Sequence, residues 1–421
     1  MFLALLTVPV ALWALKVVHS IWFSQLRHIP SPLVFQAFPI YFKFIMARGQ
    51  GPVVLHRYHE LYGTVFRVGW STVIFVDGHA ASAIYGSYHF TKGSLYDGFG
   101  FFGSNIFSMK SRETHAQRKK LIAPAYTRAS LMLVQERVIE VGVRGLKEAL
   151  EESTVNLYDF IRFALWDVTA DISLGSSLGM LKGNNRQVIG WVASLLQYSI
   201  ACSMFPFLRP FKPKCIAALD KLQHSIIQKY INARKLKDHA STRNLDRFYD
   251  QPQLTYKDIY AEAHMMLVAG TDTVSNSLST FFYLLLKHPS AHKKLVHEIQ
   301  AITPSGEFLD YHEVKDLVYL EAALREALRL LPVAAVPLLR ETPKHGRDIC
   351  GYFIPEKVPL STSTNNQTTV AVSLYSLHRS PNLWEDACSY IPERWIANSA
   401  IINHSNFLPF SLGPRGCIGK E

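Results

Sequence analysis

The sequence predicts a mainly α-helical protein with a small β-rich part. Its 421 residues are 48% hydrophobic, which is enough for a large core and argues against intrinsic disorder. Between about residues 134 and 237, apolar side chains recur at helical spacing, whereas residues 63–76 have the pattern of two short strands around a Gly-Trp-Ser turn. We therefore expect helices to dominate, with one β-hairpin near the N-terminal end.

Cysteine content and charge exclude several classes of protein. The five cysteines are an odd number, widely scattered and without a C-x-x-C pair, so neither a disulfide framework nor a cysteine zinc site is expected. The formal net charge of +11 suits an anionic membrane or an acidic protein partner. Because no nucleic-acid-binding motif and no H-E-x-x-H metalloprotease motif is present, we expect neither a nucleic acid partner nor a protease.

The first 23 residues predict a membrane anchor. They are almost wholly apolar, carry one charged side chain, Lys16, and are just long enough to span a bilayer. Arg27 follows them, so the positive-inside tendency favours a cytosolic position for the rest of the chain. We expect an anchor over residues 1–23, a proline-containing hinge over 24–35 and a catalytic domain over 36–421. A cleaved signal peptide is the alternative, although it would bring an odd number of cysteines into an oxidising space.

A long helix is predicted in the second half of the chain. Thr255 and Asp258 resemble a capping box, and Pro289 ends the helical pattern about thirty residues later. Such a helix would be about 45 Å long. Its middle, residues 269–273, reads Ala-Gly-Thr-Asp-Thr between apolar flanks. A mid-helix glycine and a buried carboxylate both reduce stability, so we expect a functional reason for them.

Small and polar side chains share one face of this helix. They are Ala269, Gly270, Thr273 and Ser277. A flat cofactor could approach the backbone over the small pair, with the Thr273 hydroxyl beside it and Asp272 next along. The alternative is that two helices meet here and that Thr273 is an N-cap.

The last twelve residues contain the strongest candidate for a metal ligand. Cys417 lies among three glycines and a proline, so the backbone can turn tightly and direct its N–H groups at the sulfur. Phe410 could shield this sulfur from water, and Arg415 adds a cation for a nearby anionic group. A buried structural cysteine in a glycine-rich turn is the alternative.

Two of these segments resemble motifs of one family. The spacing F-x-x-G-x-R-x-C-x-G, from Phe410 to Gly419, is similar to the cysteine loop of the cytochrome P450 superfamily, the haem-thiolate monooxygenases. Residues 269–273 resemble the A-G-x-D-T oxygen-activation motif of the same family. The resemblance implies the cytochrome P450 fold, haem b as cofactor and Cys417 as the ligand of the haem iron.

The same resemblance assigns roles to the polar patch of the long helix. Thr273 and Asp272 would be catalytic, because dioxygen activation needs protons delivered from solvent. Ala269 and Gly270 would lie beside the haem.

Further residues match family positions that bind the haem carboxylates. Arg340 and Arg415 occupy two of them. On a predicted helix before Pro124, His115 and Lys119 stand where the family usually carries W-x-x-x-R. Both can still donate a hydrogen bond to a carboxylate, although neither offers the planar pair of donors that an arginine has.

A charge network is implied beneath the cysteine loop. Glu326 and Arg329 match the family's E-x-x-R, and Arg394 lies in a Pro-Glu-Arg-Trp sequence that resembles its P-E-R-F. Glu321 and Arg325 form a second pair at helical spacing, of the common surface type.

The resemblance also implies a substrate class and partners. The phenylalanine-rich stretch 93–107 corresponds to a loop over the substrate pocket, which suggests a lipophilic small molecule. A formal G-x-G-x-x-G match within it lacks the strand and helix that dinucleotide binding needs. Electrons would come from an NADPH-cytochrome P450 reductase, with cytochrome b5 as an optional donor. The location would be the endoplasmic reticulum membrane. The helix after Pro289 resembles fungal members of the family, which suggests secondary metabolism or detoxification.

Two departures from the family pattern leave alternatives open. A polar insert interrupts residues 356–369, and the chain stops four residues after Cys417, before the family's following helix and β-rich tail. One alternative is therefore a truncated, catalytically incompetent fragment. Another is a haem-thiolate isomerase or dehydratase, although such enzymes have no need of Asp272 and Thr273.

Overall fold

The computed structural model of the chain describes residues 2–152, 154–235, 248, 251–303, 308–358, 367–397 and 404–421. The α-helices are α1 (Phe2–Val18), α2 (Leu33–Ala37), α3 (Ile40–Ala47), α4 (Gly51–Tyr62), α5 (Gly78–Tyr85), α6 (Arg112–Ile122), α7 (Arg128–Met132), α8 (Gln135–Val138), α9 (Gly145–Glu152), α10 (Leu157–Leu174), α11 (Gln187–Met204), α12 (Lys214–Lys235), α13 (Tyr256–Lys287), α14 (Pro289–Ile302), α15 (Tyr311–Val314), α16 (Val318–Leu330), α17 (Leu374–Leu377) and α18 (Arg394–Ala397). The strands are β1 (Val65–Arg67), β2 (Thr72–Phe75), β3 (Thr91–Lys92), β4 (Arg340–Glu341), β5 (Arg347–Ile349), β6 (Tyr352–Ile354) and β7 (Thr369–Val372). The prediction of a mainly α-helical protein with a small β-rich part is confirmed.

The chain forms two compact units, each built from three segments. The sheet unit comprises Met1–Leu95, Ala334–Cys388 and Asn403–Gly416. The helical unit comprises Tyr96–Val333, Ser389–Ile402 and Cys417–Glu421.

A five-stranded sheet organises the sheet unit. Its strand order is β1-β2-β7-β4-β3, with β2 parallel to β7 and the other neighbours antiparallel. The predicted hairpin is present as β1 and β2, in a register that pairs Val65 with Phe75. Gly69 in its turn has a φ of +92°, a conformation that glycine adopts readily. The core beside the sheet includes Phe66 and Phe75, both fully buried.

The N-terminal segment packs on the sheet unit. The Trp13 indole of α1 donates a hydrogen bond to the Ala37 carbonyl at 2.7 Å. Leu26, Ile29 and Phe35, from the segment predicted as a hinge, are fully buried in the core. No helix within the described ranges is long and apolar enough to span a membrane.

Most of the polar insert lies outside the described residues. Residues 359–366, in the middle of the predicted insert at 356–369, lie outside the described residues. Directly after it, β7 pairs along β2 from Thr72 opposite Thr369 to Phe75 opposite Val372. The strand predicted to follow the insert is therefore present.

The predicted long helix crosses the helical unit as α13. It runs for 32 residues from a complete capping box, in which the Thr255 hydroxyl accepts from the Asp258 N–H and the Asp258 carboxylate accepts from the Thr255 N–H. It ends at Lys287, two residues before Pro289. Helix α10 packs along it, and α16 packs against its C-terminal half.

Candidate functional site

The Cys417 thiol is open to ligands on one side. Contact with neighbouring protein atoms raises the pKa of this thiol, whereas a hydrogen bond from the Gly419 N–H and the nearby Lys119 ammonium lower it. The residue is nevertheless exposed, so its sulfur can be reached. Because the pKa is raised overall, the free thiol stays protonated near neutral pH, and a bound metal cation would displace the proton.

The turn that leads towards this cysteine requires a glycine. Gly413 has a φ of +70°. A Cβ atom there would also overlap the carbonyl oxygen of Tyr85, within the sheet unit. Both the conformation and the lack of space exclude other residues, which is a physical reason for the first glycine of the cysteine-loop motif.

Three cationic side chains converge in the sheet unit, and we call Lys92, Arg340 and Arg415 the cation cluster. The pairing of β3 with β4 places Lys92 directly opposite Arg340, and their exposed fractions are only 4% and 3%. Burial first, and then the two arginines, lowers the pKa of Lys92 to about 6. Lys92 is therefore a neutral amine near neutral pH, and the positive charge of the cluster comes from the two arginines.

The middle of α13 keeps one face open. Ala269 and Thr273 are exposed, although Val268, Thr271 and Ser275 on the other faces of the same turns are buried. The Thr273 hydroxyl donates to the Ala269 carbonyl at 2.5 Å, well inside the helix. The N-cap alternative for Thr273 is therefore wrong.

The other two residues of the motif face neighbouring protein. Burial raises the pKa of the Asp272 carboxyl, and the Arg162 guanidinium partly opposes this. A Cβ atom on Gly270 would lie 3.3 Å from the Thr169 methyl of α10. The expected face of Ala269, Gly270, Thr273 and Ser277 is thus divided. The glycine allows close packing of α10, Ser277 is half-buried, and Ala269 and Thr273 border the open face.

Glu326 is the centre of a buried charge network in the helical unit. Glu326 and Arg329 have exposed fractions of 0% and form a bidentate pair, with N–O distances of 2.9 and 2.8 Å. The Arg394 Nε atom donates to the same carboxylate at 3.0 Å, as do the Trp395 indole at 2.9 Å and the Ile391 N–H at 3.1 Å. The structure therefore brings together the three residues predicted to form this network.

Comparison with known proteins identifies the family. Residues 31–421 match the Cytochrome P450 family. The chain belongs to the cytochrome P450 family. It is 29% identical to cytochrome P450 monooxygenase AMT3 of Alternaria alternata, over 96% of this chain and 86% of the relative. It is also 28% identical to monooxygenase efuB of Hormonema carpetanum and 26% to astD of Aspergillus oryzae, over 96% of this chain and 84% and 81% of those relatives.

This P450 is therefore an enzyme of the monooxygenase class, and its residues fit the haem that the family uses. Haem has an iron, a flat ring and two carboxylates. Cys417 offers an accessible sulfur for the iron, and Ala269 and Thr273 offer an open strip of small side chains for the ring. The predicted contacts of Arg340 and Arg415 with the haem carboxylates stay predictions.

Other predicted haem contacts of this P450 lie on α6 and near the C-terminal end. His115 is buried, with an exposed fraction of 3%, and Lys119 one turn later is half-buried. Burial lowers the pKa of Lys119, Cys417 raises it and Lys420 lowers it, so this ammonium lies within electrostatic range of the sulfur. Phe410 is 41% exposed in the sheet unit. The predicted contacts of these three residues with haem stay predictions.

Sequence reasoning missed two groups in this P450. Lys92 is marked by no motif, and only the register of β3 on β4 reveals it. Arg118 lies in a charged run that has the composition of a solvated helix face, yet it is buried and pairs with Glu262 of α13. The available signal for this second pair was Glu262 itself, because a carboxylate within an apolar helical stretch needs a partner when it is buried.

We expect loss of the Glu326 carboxylate to destabilise the protein strongly. Glu326→Ala should lower the free energy of unfolding by about 3–5 kcal/mol, because it leaves buried arginines without a counter-charge. On the same helix, Glu321→Ala removes only an exposed pair with Arg325 and should cost less than about 1 kcal/mol. Urea unfolding followed by tryptophan fluorescence measures both losses. Equal losses in the two variants would contradict a structural role for the network.

The lowered pKa of Lys92 predicts a pH dependence of stability. Above about pH 6 the folded protein has lost the Lys92 proton, whereas the unfolded chain keeps it up to its ordinary pKa of 10.5. The unfolded state then binds more protons, so stability should rise with pH in this window. In haem-free protein, the melting temperature should increase more between pH 6.5 and pH 8.5 in the wild type than in Lys92→Met. An equal increase in both proteins would refute this assignment.

Proposed function

We propose that this chain is a haem b-dependent monooxygenase that oxidises a lipophilic small molecule, using dioxygen and electrons from an NADPH-cytochrome P450 reductase. The fungal relatives that the chain matches are named cytochrome P450 monooxygenases, which supports this class of reaction. The observation that carries the proposal is the open strip at Ala269 and Thr273, in a turn of α13 whose Val268, Thr271 and Ser275 side chains are buried. The phenylalanine-rich stretch after residue 93 supports a lipophilic substrate.

Each part of the chain would contribute one property to this reaction. The bound haem would supply an iron centre for dioxygen activation, with electron density donated by a thiolate ligand. Cys417 would provide that thiolate, and its Gly419 N–H hydrogen bond would stabilise the negative charge. By the family resemblance, Arg340 and Arg415 would bind the haem carboxylates.

Protons would reach the site along α13. The raised pKa of Asp272 keeps its carboxyl able to hold a proton, which a general acid needs. The Thr273 hydroxyl donates its one proton to the Ala269 carbonyl, and its oxygen lone pairs can accept a hydrogen bond from a proton donor. Rotation of this hydroxyl away from the carbonyl would let it donate to an acceptor at the open face.

Membrane attachment is part of the proposal. We propose that residues 1–23 associate with the endoplasmic reticulum membrane and that the catalytic part lies in the cytosol. Exposed apolar side chains in this segment, including Leu12, Leu15 and Trp22, support an association with lipid.

The carbon monoxide difference spectrum of the reduced protein tests the proposed function. We expect the red-shifted Soret band of a haem-thiolate centre in the wild type. Cys417→Ser should bind haem without that band, because its hydroxyl is a far weaker anionic ligand than a thiolate. Absence of bound haem from the wild type would favour the incompetent fragment.

Thr273→Ala tests the proposed proton delivery. With reductase present, product formation should fall on the order of a hundredfold, as expected when a positioned proton donor is lost. Consumption of NADPH should fall much less, so that product formed per NADPH decreases. Ser277→Ala is the matched control, since its hydroxyl donates to the Thr273 carbonyl one turn along the helix. Unchanged coupling in Thr273→Ala would disprove the role of this hydroxyl.

A further inference from the structure

The phenylalanine-rich segment of the helical unit is an ordered loop. We call residues 98–108 the aromatic loop. The Asn105 side chain closes it from within, since its amide donates to the Phe99 carbonyl at 2.9 Å and its oxygen accepts from the N–H groups of Phe107 and Ser108 at 3.1 and 2.9 Å. The rings of Phe99 and Phe107 meet edge to face at 5.1 Å. The loop can therefore move as one body.

The aromatic loop rests on the N-terminal half of α13. A Cβ atom on Gly103 would lie 3.0 Å from the Ala261 methyl, so the loop backbone approaches the helix closely. The Phe102 ring contacts the buried His264 ring at 4.4 Å between centroids. Neither contact is a hydrogen bond, and the apolar contact at Gly103 is non-directional.

Glu262 supplies a directional restraint. One of its carboxyl oxygens accepts the Ile106 N–H of the aromatic loop at 2.9 Å and the Arg118 guanidinium of α6 at 2.8 Å. The Glu262 side chain is 2% exposed and that of Arg118 is 9% exposed. Arg118 also pairs with Asp258, one turn before Glu262. A single buried oxygen thus joins the loop, α6 and α13.

Glu262 lies in line with the open face of α13. Steps of four, three and four residues lead from Glu262 through Met266 and Ala269 to Thr273, which is the spacing of one helix face. The restrained loop therefore lies at one end of the strip that the proposed function assigns to the haem and substrate.

We propose that Glu262 is a positioning residue for ligand entry, which holds the aromatic loop on α13 and so limits the size of ligand that reaches Ala269 and Thr273. The proposal rests on the proposed function for the identity of the open face. The docking of the loop itself depends only on contacts within the helical unit.

The charges around Glu262 predict how pH affects this contact. The groups within electrostatic range are Arg118 of α6, Asp258 of α13 and Tyr126 of the 3-10 helix Ala123–Tyr126. Burial raises the pKa of Glu262 to about 7, against the opposing effects of Arg118 and the Ile106 N–H. Opening the loop admits water and lowers this pKa, so the closed state binds more protons and opening becomes easier as pH rises through 7.

Hydrogen–deuterium exchange of the full chain tests the docking without relying on haem. In Glu262→Ala, exchange over residues 99–110 should accelerate about tenfold or more, the effect of losing a hydrogen bond to a charged acceptor. Glu262→Gln keeps an oxygen acceptor and should stay within about threefold of the wild type at pH 6. Glu140→Ala, which removes an exposed carboxylate of the same unit, should leave the segment unchanged. If Glu262→Ala does not fold, Glu262→Asp can replace it, because it shortens the side chain by one methylene. Exchange over the same residues should accelerate in that variant as well.

The pH dependence provides a readout that a purely structural role would not produce. The exchange rate of the wild type relative to Glu262→Gln should rise about threefold or more between pH 6 and pH 8, because only the wild type loses a proton at this position. A constant ratio would contradict the proposal.

Two haem ligands of different size test the effect on entry. Association of 4-phenylimidazole, followed by the Soret shift in stopped flow, should accelerate about tenfold in Glu262→Ala, whereas imidazole should change less than about twofold. Equal acceleration of both ligands, or of neither, would overturn the entry role. If neither ligand shifts the Soret band of the wild type, the proposed function fails, while the exchange experiment still decides whether Glu262 holds the loop.

Discussion

The buried carboxylate of Glu326 is the interaction on which the helical unit most depends. It accepts hydrogen bonds from the side chains of Arg329, Arg394 and Trp395 and from one backbone N–H. These donors offset the cost of burying the charged carboxylate. The carboxylate therefore connects α16 to residues 391–395. Directional bonds of this kind define how the segments meet more closely than apolar packing does.

The Glu262 carboxyl group is also buried, but it accepts hydrogen bonds from fewer donors. Arg118 and one backbone N–H satisfy it, and its pKa is raised to about 7 by burial. A carboxyl group that titrates near neutral pH is poorly suited to permanent bracing and better suited to a contact that opens. Glu326 thus belongs to the rigid part of the helical unit, whereas Glu262 holds its movable aromatic loop.

The cation cluster of the sheet unit brings basic side chains together instead of carboxylates. Strand pairing places Lys92 opposite Arg340, and burial, followed by the two nearby arginines, lowers the pKa of Lys92 to about 6. A buried group whose pKa is shifted this far is more frequent at binding sites than in ordinary packing. The open strip on α13 has the same character, because small exposed side chains at Ala269 and Thr273 leave a helix face uncovered.

Local sequence determined the features that depend on neighbouring residues. The capping box at Thr255, the end of α13 before Pro289, the hairpin at Gly69 and the spacing of Glu326 with Arg329 were all predictable, because their partners lie within a few residues or one helical period. Tertiary structure alone decided the rest. Strand register brought Lys92 to Arg340, and the packing of α10 brought Thr169 against Gly270. The buried contact of Arg118 with Glu262 joins residues 144 positions apart, and no local pattern encodes such a distance.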